Sequence, residues 1–198
     1  MALPYGQAVM TNNGSALMAK AIAGQCSIEF VRIAVGDGTY TEEEKTISAL
    51  LTKTALKNQK NAYPINSVEV ASDYSVKLKA LITNQDPVTK EVLVTVGYYM
   101  NEIGLFAKEK GADDSTAILY SIAVTSGEQG DYLPPYNGYN PAQIIQEYYA
   151  AVDNSENVTI NVSGAALLVE DANKIVDDTT GIVYRLGIDN GGLYYEEV

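Results

Sequence analysis

The sequence predicts an α+β fold dominated by antiparallel β-sheets, with a short N-terminal helix, one or two further helices and a C-terminal β-hairpin. Three observations carry that prediction. Apolar residues alternate with a period of two across 74–82 and again across 92–100, as in strands with one buried face. Apolar positions between 16 and 22 recur at helical spacing instead. Near the end, Asp189-Asn190-Gly191-Gly192 separates two short β-rich runs, a composition that suits a primed turn.

Taken in order, Asn12-Asn13-Gly14 precedes the first helix, whose Ala16, Leu17, Met18, Ala21 and Ile22 share a face and which Gly24 should stop. A strand follows, with Val31, Ile33 and Val35 on one side and Ile28, Phe30 and Arg32 on the other. After Gly36-Asp37-Gly38 and an acidic run, "TISALLTKTALKNQ" sets Ile47, Leu50, Leu51 and Leu56 along a second helix face, though its threonines would also suit a strand. Tyr63-Pro64 restarts extended structure. Tyr74, Val76, Leu78, Ala80 and Ile82 then face one way, opposite Ser75, Lys77 and Lys79. Asn84-Gln85-Asp86-Pro87 is a turn signal. Beyond it Val92, Val94, Val96, Tyr98 and Met100 form a second face, so the two runs are expected to pair antiparallel.

"EIGLFAKEKG" continues that strand, with Gly104 marking a bulge or tight bend, and 117–124 is another strand. A Gly/Pro/Tyr loop follows. Asn140-Pro141 fits a helix start, and "PAQIIQEYYAAV" would gather Ile144, Ile145, Tyr148, Tyr149 and Val152 on one helical side. Val158, Ile160 and Val162 alternate as a strand. The expected organisation is an α+β domain over 1–163, a connector over 164–181 and the hairpin over 182–198. No segment repeats at a fixed period.

Composition narrows the function. With 198 residues the chain can bury a full core without disulfide or metal. Cys26 is the single cysteine, expected as a buried or half-buried thiol, and histidine is absent, which removes the commonest base and metal ligand. A net charge of −12 opposes binding to nucleic acid or an anionic membrane. The amino end lacks a basic region followed by an apolar stretch. No run approaches the ~18 apolar residues of a membrane span. The expectation is a soluble protein made in the cytoplasm. Fifteen tyrosines stand against two phenylalanines and no tryptophan, which suits either contact surfaces or strand filling.

The stretch "RIAVGDGTYTEEE" is the one place that invites a ligand. A dinucleotide or P-loop reading fails because Glu42, Glu43 and Glu44 stand where phosphate should sit and no lysine is placed to meet it. The alternating oxygen ligands of a calcium loop are missing too. No nucleophile–base motif occurs elsewhere, and a pair of carboxylates is the one catalytic device that counting leaves open. The expectation is no catalytic residue, no metal and no cofactor.

The order of "MTNNGSALMAKAIAG", "IEFVRIAVGDG", "YPINSVEV", "YMNEIGLFA", "ILYSIAV", "GDYLPP" and "NVTINVS" resembles the phage tail-collar fibre family, over roughly residues 8–163. That is the amino-terminal region of tail fibres in contractile-tailed phages. The resemblance implies a virion structural role, joining a fibre to the baseplate as a homotrimer, with other tail or baseplate proteins as partners and no catalysis. It implies location in a virion tail assembled in the bacterial cytoplasm. Under it, Gly36 and Gly38 form a strand-end corner whose backbone donors Asp37 satisfies, and Gly104 is a backbone requirement. Fibres of the family continue into a shaft and receptor-binding tip, whereas this sequence reaches its hairpin instead, so an adaptor or fibre base fits as well as a fibre.

Partner-facing candidates are Tyr132, Tyr136 and Tyr139 in the loop 127–141, then Tyr184, Tyr194 and Tyr195 in the hairpin, with packing inside their own domain as the competing role. Two rival functions stay open: a carbohydrate-binding module that recognises host surface glycans by stacking tyrosines on sugar rings, and a small envelope hydrolase.

Overall fold

Thr11 decides where the chain first turns helical. In the computed structural model, which describes residues 5–72, 75–151, 158–160, 174–176, 179–180, 182–189 and 192–197, β1 (Val9–Met10) leads into α1 (Asn12–Ile22). The Thr11 hydroxyl accepts from the Gly14 N–H at 3.1 Å and donates to the Leu119 carbonyl at 2.6 Å. One side chain thus starts the helix and seats it on a strand. Gly14 completes the seat, because a Cβ there would lie 2.2 Å from the Tyr120 carbonyl oxygen. Leu17, Met18 and Ala21 face inward as the spacing predicts, whereas Ala16 and Ile22 are exposed. The chain leaves the helix through Gly24 at φ +70°.

Two compact units divide the chain, residues 1–165 and 166–198. In the first, β2 (Ile28–Gly36), α2 (Ile47–Leu51), β3 (Gln59–Pro64), β4 (Ser67–Ser72) and β5 (Ser75–Thr83) follow in order. Then come β6 (Tyr98–Met100), β7 (Glu102–Glu109), β8 (Ile118–Val124) and β9 (Asp131–Leu133). The series ends with β10 (Gln143–Ala151) and β11 (Val158–Ile160). The principal sheet runs β1-β8-β7-β2-β11, with β3 also paired to β2. Its ladders are antiparallel except β11 on β2, which is parallel. A second sheet is β10-β5-β4, and β6 pairs with β9. The β-dominated α+β class is therefore as the sequence predicts.

The principal sheet is covered on both faces. On one lie Leu17, Met18, Ile28, Phe30 and Tyr120 with the inner side of the second sheet; on the other, Leu50 and Leu56 pack against Phe106, Leu119 and Ile122. Double burial explains why β7 is apolar on both sides. It also explains Gly104. That residue lies inside the regular ladder opposite Ala34 and Ile122, and the register break comes one residue later, between Leu105 and Phe106. A Cβ on Gly104 would sit 2.7 Å from Leu119 Cδ1 and 3.0 Å from Leu56 Cδ2. The expected bulge or bend is thus corrected to a packing requirement.

Three further expectations change. The helix expected over 141–152 is replaced by a strand: 143–151 form β10, paired over its whole length with β5. Tyr148 and Ala150 point inward while Ile145, Glu147 and Tyr149 point out. The doublets Ile144-Ile145 and Tyr148-Tyr149 fit either period, and nine residues of ladder settle it. Second, the strand expected over 92–100 shrinks to β6, and β5 pairs instead with β4 and β10. Val94, Tyr98 and Met100 are buried, but Val96 is 78% exposed. Third, the helix expected from residue 46 onward stops after Leu51. Tyr74, Val152 and Val162 lie outside the described residues.

The second unit contains β12 (Lys174–Val176), β13 (Val183–Asp189) and β14 (Gly192–Glu197), in the order β12-β13-β14. β13 and β14 pair antiparallel from Tyr184–Glu197 to Asp189–Gly192, as the predicted hairpin requires. Arg185 pairs with Glu196 across it. β12 falls within the stretch expected as connector.

Candidate functional site

The Gly36-Asp37-Gly38 corner is built around a carboxylate that the sequence reading did not single out. Glu102 begins β7 directly opposite Gly36 and is fully buried. Its Oε1 accepts from the backbone N–H of Asn58 at 2.7 Å and of Gly38 at 3.2 Å. Its Oε2 accepts from the Lys57 N–H at 2.7 Å and from the Tyr40 hydroxyl. Four donors around two oxygens satisfy a buried carboxylate, which would otherwise be strongly destabilising. Burial first, and then this bond to Glu102, push the Tyr40 hydroxyl well above its ordinary range.

Both glycines are required by this close approach. A Cβ at Gly36 would lie 2.4 Å from Glu102 Oε1 and from the Asn58 carbonyl; one at Gly38 would lie 2.6 Å from the same Oε1. Asp37 has a different task from the one expected. Its carboxylate accepts from Asn58 Nδ2 at 2.7 Å and pairs with Lys60 at 3.2 Å, while the Gly38 N–H goes to Glu102 and the Asp37 N–H to the Asn58 carbonyl. The amide nest that could have cradled an anion is filled by the chain's own side chain. Among the described residues, no group of three or more Cys, Asp or Glu side chains is placed to hold a metal ion. Cys26 is half-buried.

The second feature is an aromatic surface on β6 and β9. Tyr99 and Tyr132 are opposite each other in that ladder, with ring centroids 5.0 Å apart and planes inclined at 54°. They are 40% and 48% exposed. The Tyr132 ring lies over Gly97, where a Cβ would meet its hydroxyl at 2.2 Å and Pro135 Cδ at 2.8 Å. Below the surface, Tyr98 donates to Asn61 Oδ1 at 2.6 Å and Leu133 is fully buried, so the ladder presents its rings from a fixed base. The loop beyond is tied down by the Tyr136 N–H to the Val94 carbonyl at 2.9 Å and by Asn84 Nδ2 to the Pro134 carbonyl at 3.0 Å.

Of the predicted loop tyrosines, Tyr132 is a surface ring and Tyr139 is 86% exposed, while Tyr136 is half-buried. Tyr99 belongs to the same surface as Tyr132 and was missed; Val96, which alternation placed on a buried face, is exposed. Tyr99 carried a signal, since in "YYM" it occupies the position out of phase with buried Tyr98 and Met100. In the second unit Tyr184 and Tyr195 meet edge to face at 5.6 Å, with Tyr195 73% exposed. The Tyr194 side chain lies outside the described residues. No family model, curated protein or solved structure matches this chain.

Proposed function

We propose that this chain is a structural component of a phage or phage-derived tail, one that attaches a fibre to the baseplate or forms the fibre base and acts by docking. One observation carries the reading: the motifs that resemble the tail-collar fibre family come together as a single scaffold. "TNNG" caps the helix seated on β8. "IEFVRIAVGDG" and "EIGLFA" are the adjacent strands β2 and β7. The glutamate of the second closes the glycine corner of the first. These residues hold the fold together, and recognition falls to the exposed Tyr99–Tyr132 surface with Tyr139.

Large rings held on a fixed ladder supply contact area at little entropic cost on association. The acidic surface selects against wrong partners. The assembly is a homotrimer that meets other tail or baseplate proteins. Light scattering tests this directly. The wild-type chain should run at three times the 21.3 kDa of one chain, and Tyr99→Ala/Tyr132→Ala/Tyr139→Ala should run as a monomer with unchanged circular dichroism. A wild-type monomer that binds immobilised glycans would replace this reading with the carbohydrate-binding one.

A further inference from the structure

Among the described residues, strand β10 has no strand along one of its two edges. Its neighbour on the other edge is β5. Which backbone groups face outward follows from the register. The Ala142 carbonyl accepts from the Asn84 N–H, and the β10–β5 ladder continues from there without a break. Hydrogen-bonded pairs alternate along such a ladder, so Ile144, Gln146 and Tyr148 bond to β5 while Ile145, Glu147 and Tyr149 turn their N–H and C=O away. The Gln146 side chain donates to the Glu147 carbonyl at 2.8 Å, consistent with a carbonyl that no strand has taken.

That edge borders a groove of about 730 Å³. Its far wall is the segment Gly6–Ala8, and Ile103 and Ala123 line it between the two sheets. The groove's lining carries Asp131 and Glu147 and, among the described residues, no lysine or arginine. Lys77, outside the lining, reaches Glu147 at 3.8 Å but sits closer to Glu69 at 2.6 Å, and the Tyr149 hydroxyl lies 3.4 Å from the Glu147 carboxylate. Ile145 and Tyr149 flank Glu147 at 45% and 55% exposed. Natural sheets usually blunt such an edge with a proline, a bulge or several charges. This one has a single glutamate over nine residues.

We propose that β10 is a docking edge for an extended segment of a different protein, which adds to the sheet as a fourth strand. The segment has a basic residue opposite Glu147 and apolar residues two positions to either side, opposite Ile145 and Tyr149. Its intervening side chains are small, because they face Ile103 and Ala123. A second copy of this chain fits less well: full antiparallel overlap of two β10 strands sets Glu147 against Glu147. The proposal needs only an extended partner and stands apart from the tail reading.

Amide hydrogen exchange on the full chain, followed by NMR, tests it in two steps. Alone, the amides of Ile145, Glu147 and Tyr149 should exchange at least tenfold faster than those of Ile144, Gln146 and Tyr148. Protection of all six would show that the edge is already covered, and would overturn the proposal. The probe is the capped peptide Thr-Ala-Val-Ala-Lys-Ala-Val-Ala-Thr, added at millimolar concentration. It should slow the three outward amides at least tenfold, and the same peptide with Glu for Lys should not. In Glu147→Lys the preference should reverse. If neither peptide protects those amides, or if Glu147→Lys leaves the preference unchanged, β10 is not such an edge.

Discussion

The corner at Gly36–Gly38 and the surface at Tyr99–Tyr132 are both built from a tyrosine beside a glycine, and they have opposite fates. At the corner, the Tyr40 hydroxyl is consumed by a buried carboxylate whose other partners are backbone amides. At the surface, the Tyr132 ring covers Gly97 and faces solvent. The glycine has the same job in both places, which is to let a bulky group approach the backbone. What differs is whether the approaching group is polar and closed off or aromatic and open. The first arrangement fixes the sheet; the second leaves a surface for something else to bury.

The contrast between closed and open tyrosines is broken most completely by alkali. Tyr5 and Tyr63 are pushed up to about 12 from the ordinary 10.0, by burial first. Unfolded copies lose their protons as pH passes about 10 while the folded ones keep theirs, so stability holds below that pH and falls between about 10 and 12. Ultraviolet titration of tyrosinate, followed beside circular dichroism, should show the Tyr5 and Tyr63 hydroxyls ionising only as the protein unfolds. Their ionisation at about pH 10 with the fold intact would remove the distinction.

Next in size is Glu102→Ala, which strands three backbone N–H groups and the Tyr40 hydroxyl; we expect a loss of about 4 kcal/mol in denaturant melts. A loss below about 1 kcal/mol would mean that water takes over the site. Gly36→Ala should cost about 2–3 kcal/mol, since the new methyl meets a carbonyl and a carboxylate that are both held in place. The smallest effect belongs to the open side. Tyr132→Ala removes one aromatic pair and should cost about 1 kcal/mol or less. Its effect on assembly in light scattering should be far larger than its effect on melting.

Local chemistry made α1, β5 and the terminal hairpin legible, because each declares itself within about ten residues. β2 was legible as a strand but not in its facing, since the register break between Phe30 and Arg32 brings Ile28, Phe30, Ile33 and Val35 into one cluster. β10 was not legible, since its doublets Ile144-Ile145 and Tyr148-Tyr149 satisfy two periods and only pairing with β5, far back in the chain, selects one. Glu102 was hidden for the same reason. Its partners lie at 38, 40, 57 and 58, and nothing near residue 102 announces them. At the candidate surface the rings of Tyr132 and Tyr139 were visible in composition and Tyr99 in local alternation, while the pairing of Tyr99 with Tyr132 waited on the knowledge of which strand β6 meets.

Parallel pairing of β11 with β2 has a consequence for how the molecule is made. Val158 must find Ile28 after almost the whole first unit has been synthesised between them. Loop-closure entropy makes such contacts slow to form. A ribosome would therefore emit a chain with Ile28–Phe30 of β2 still unpaired beside the part that β3 covers, and refolding from denaturant should show a late phase that a version cut before residue 158 lacks.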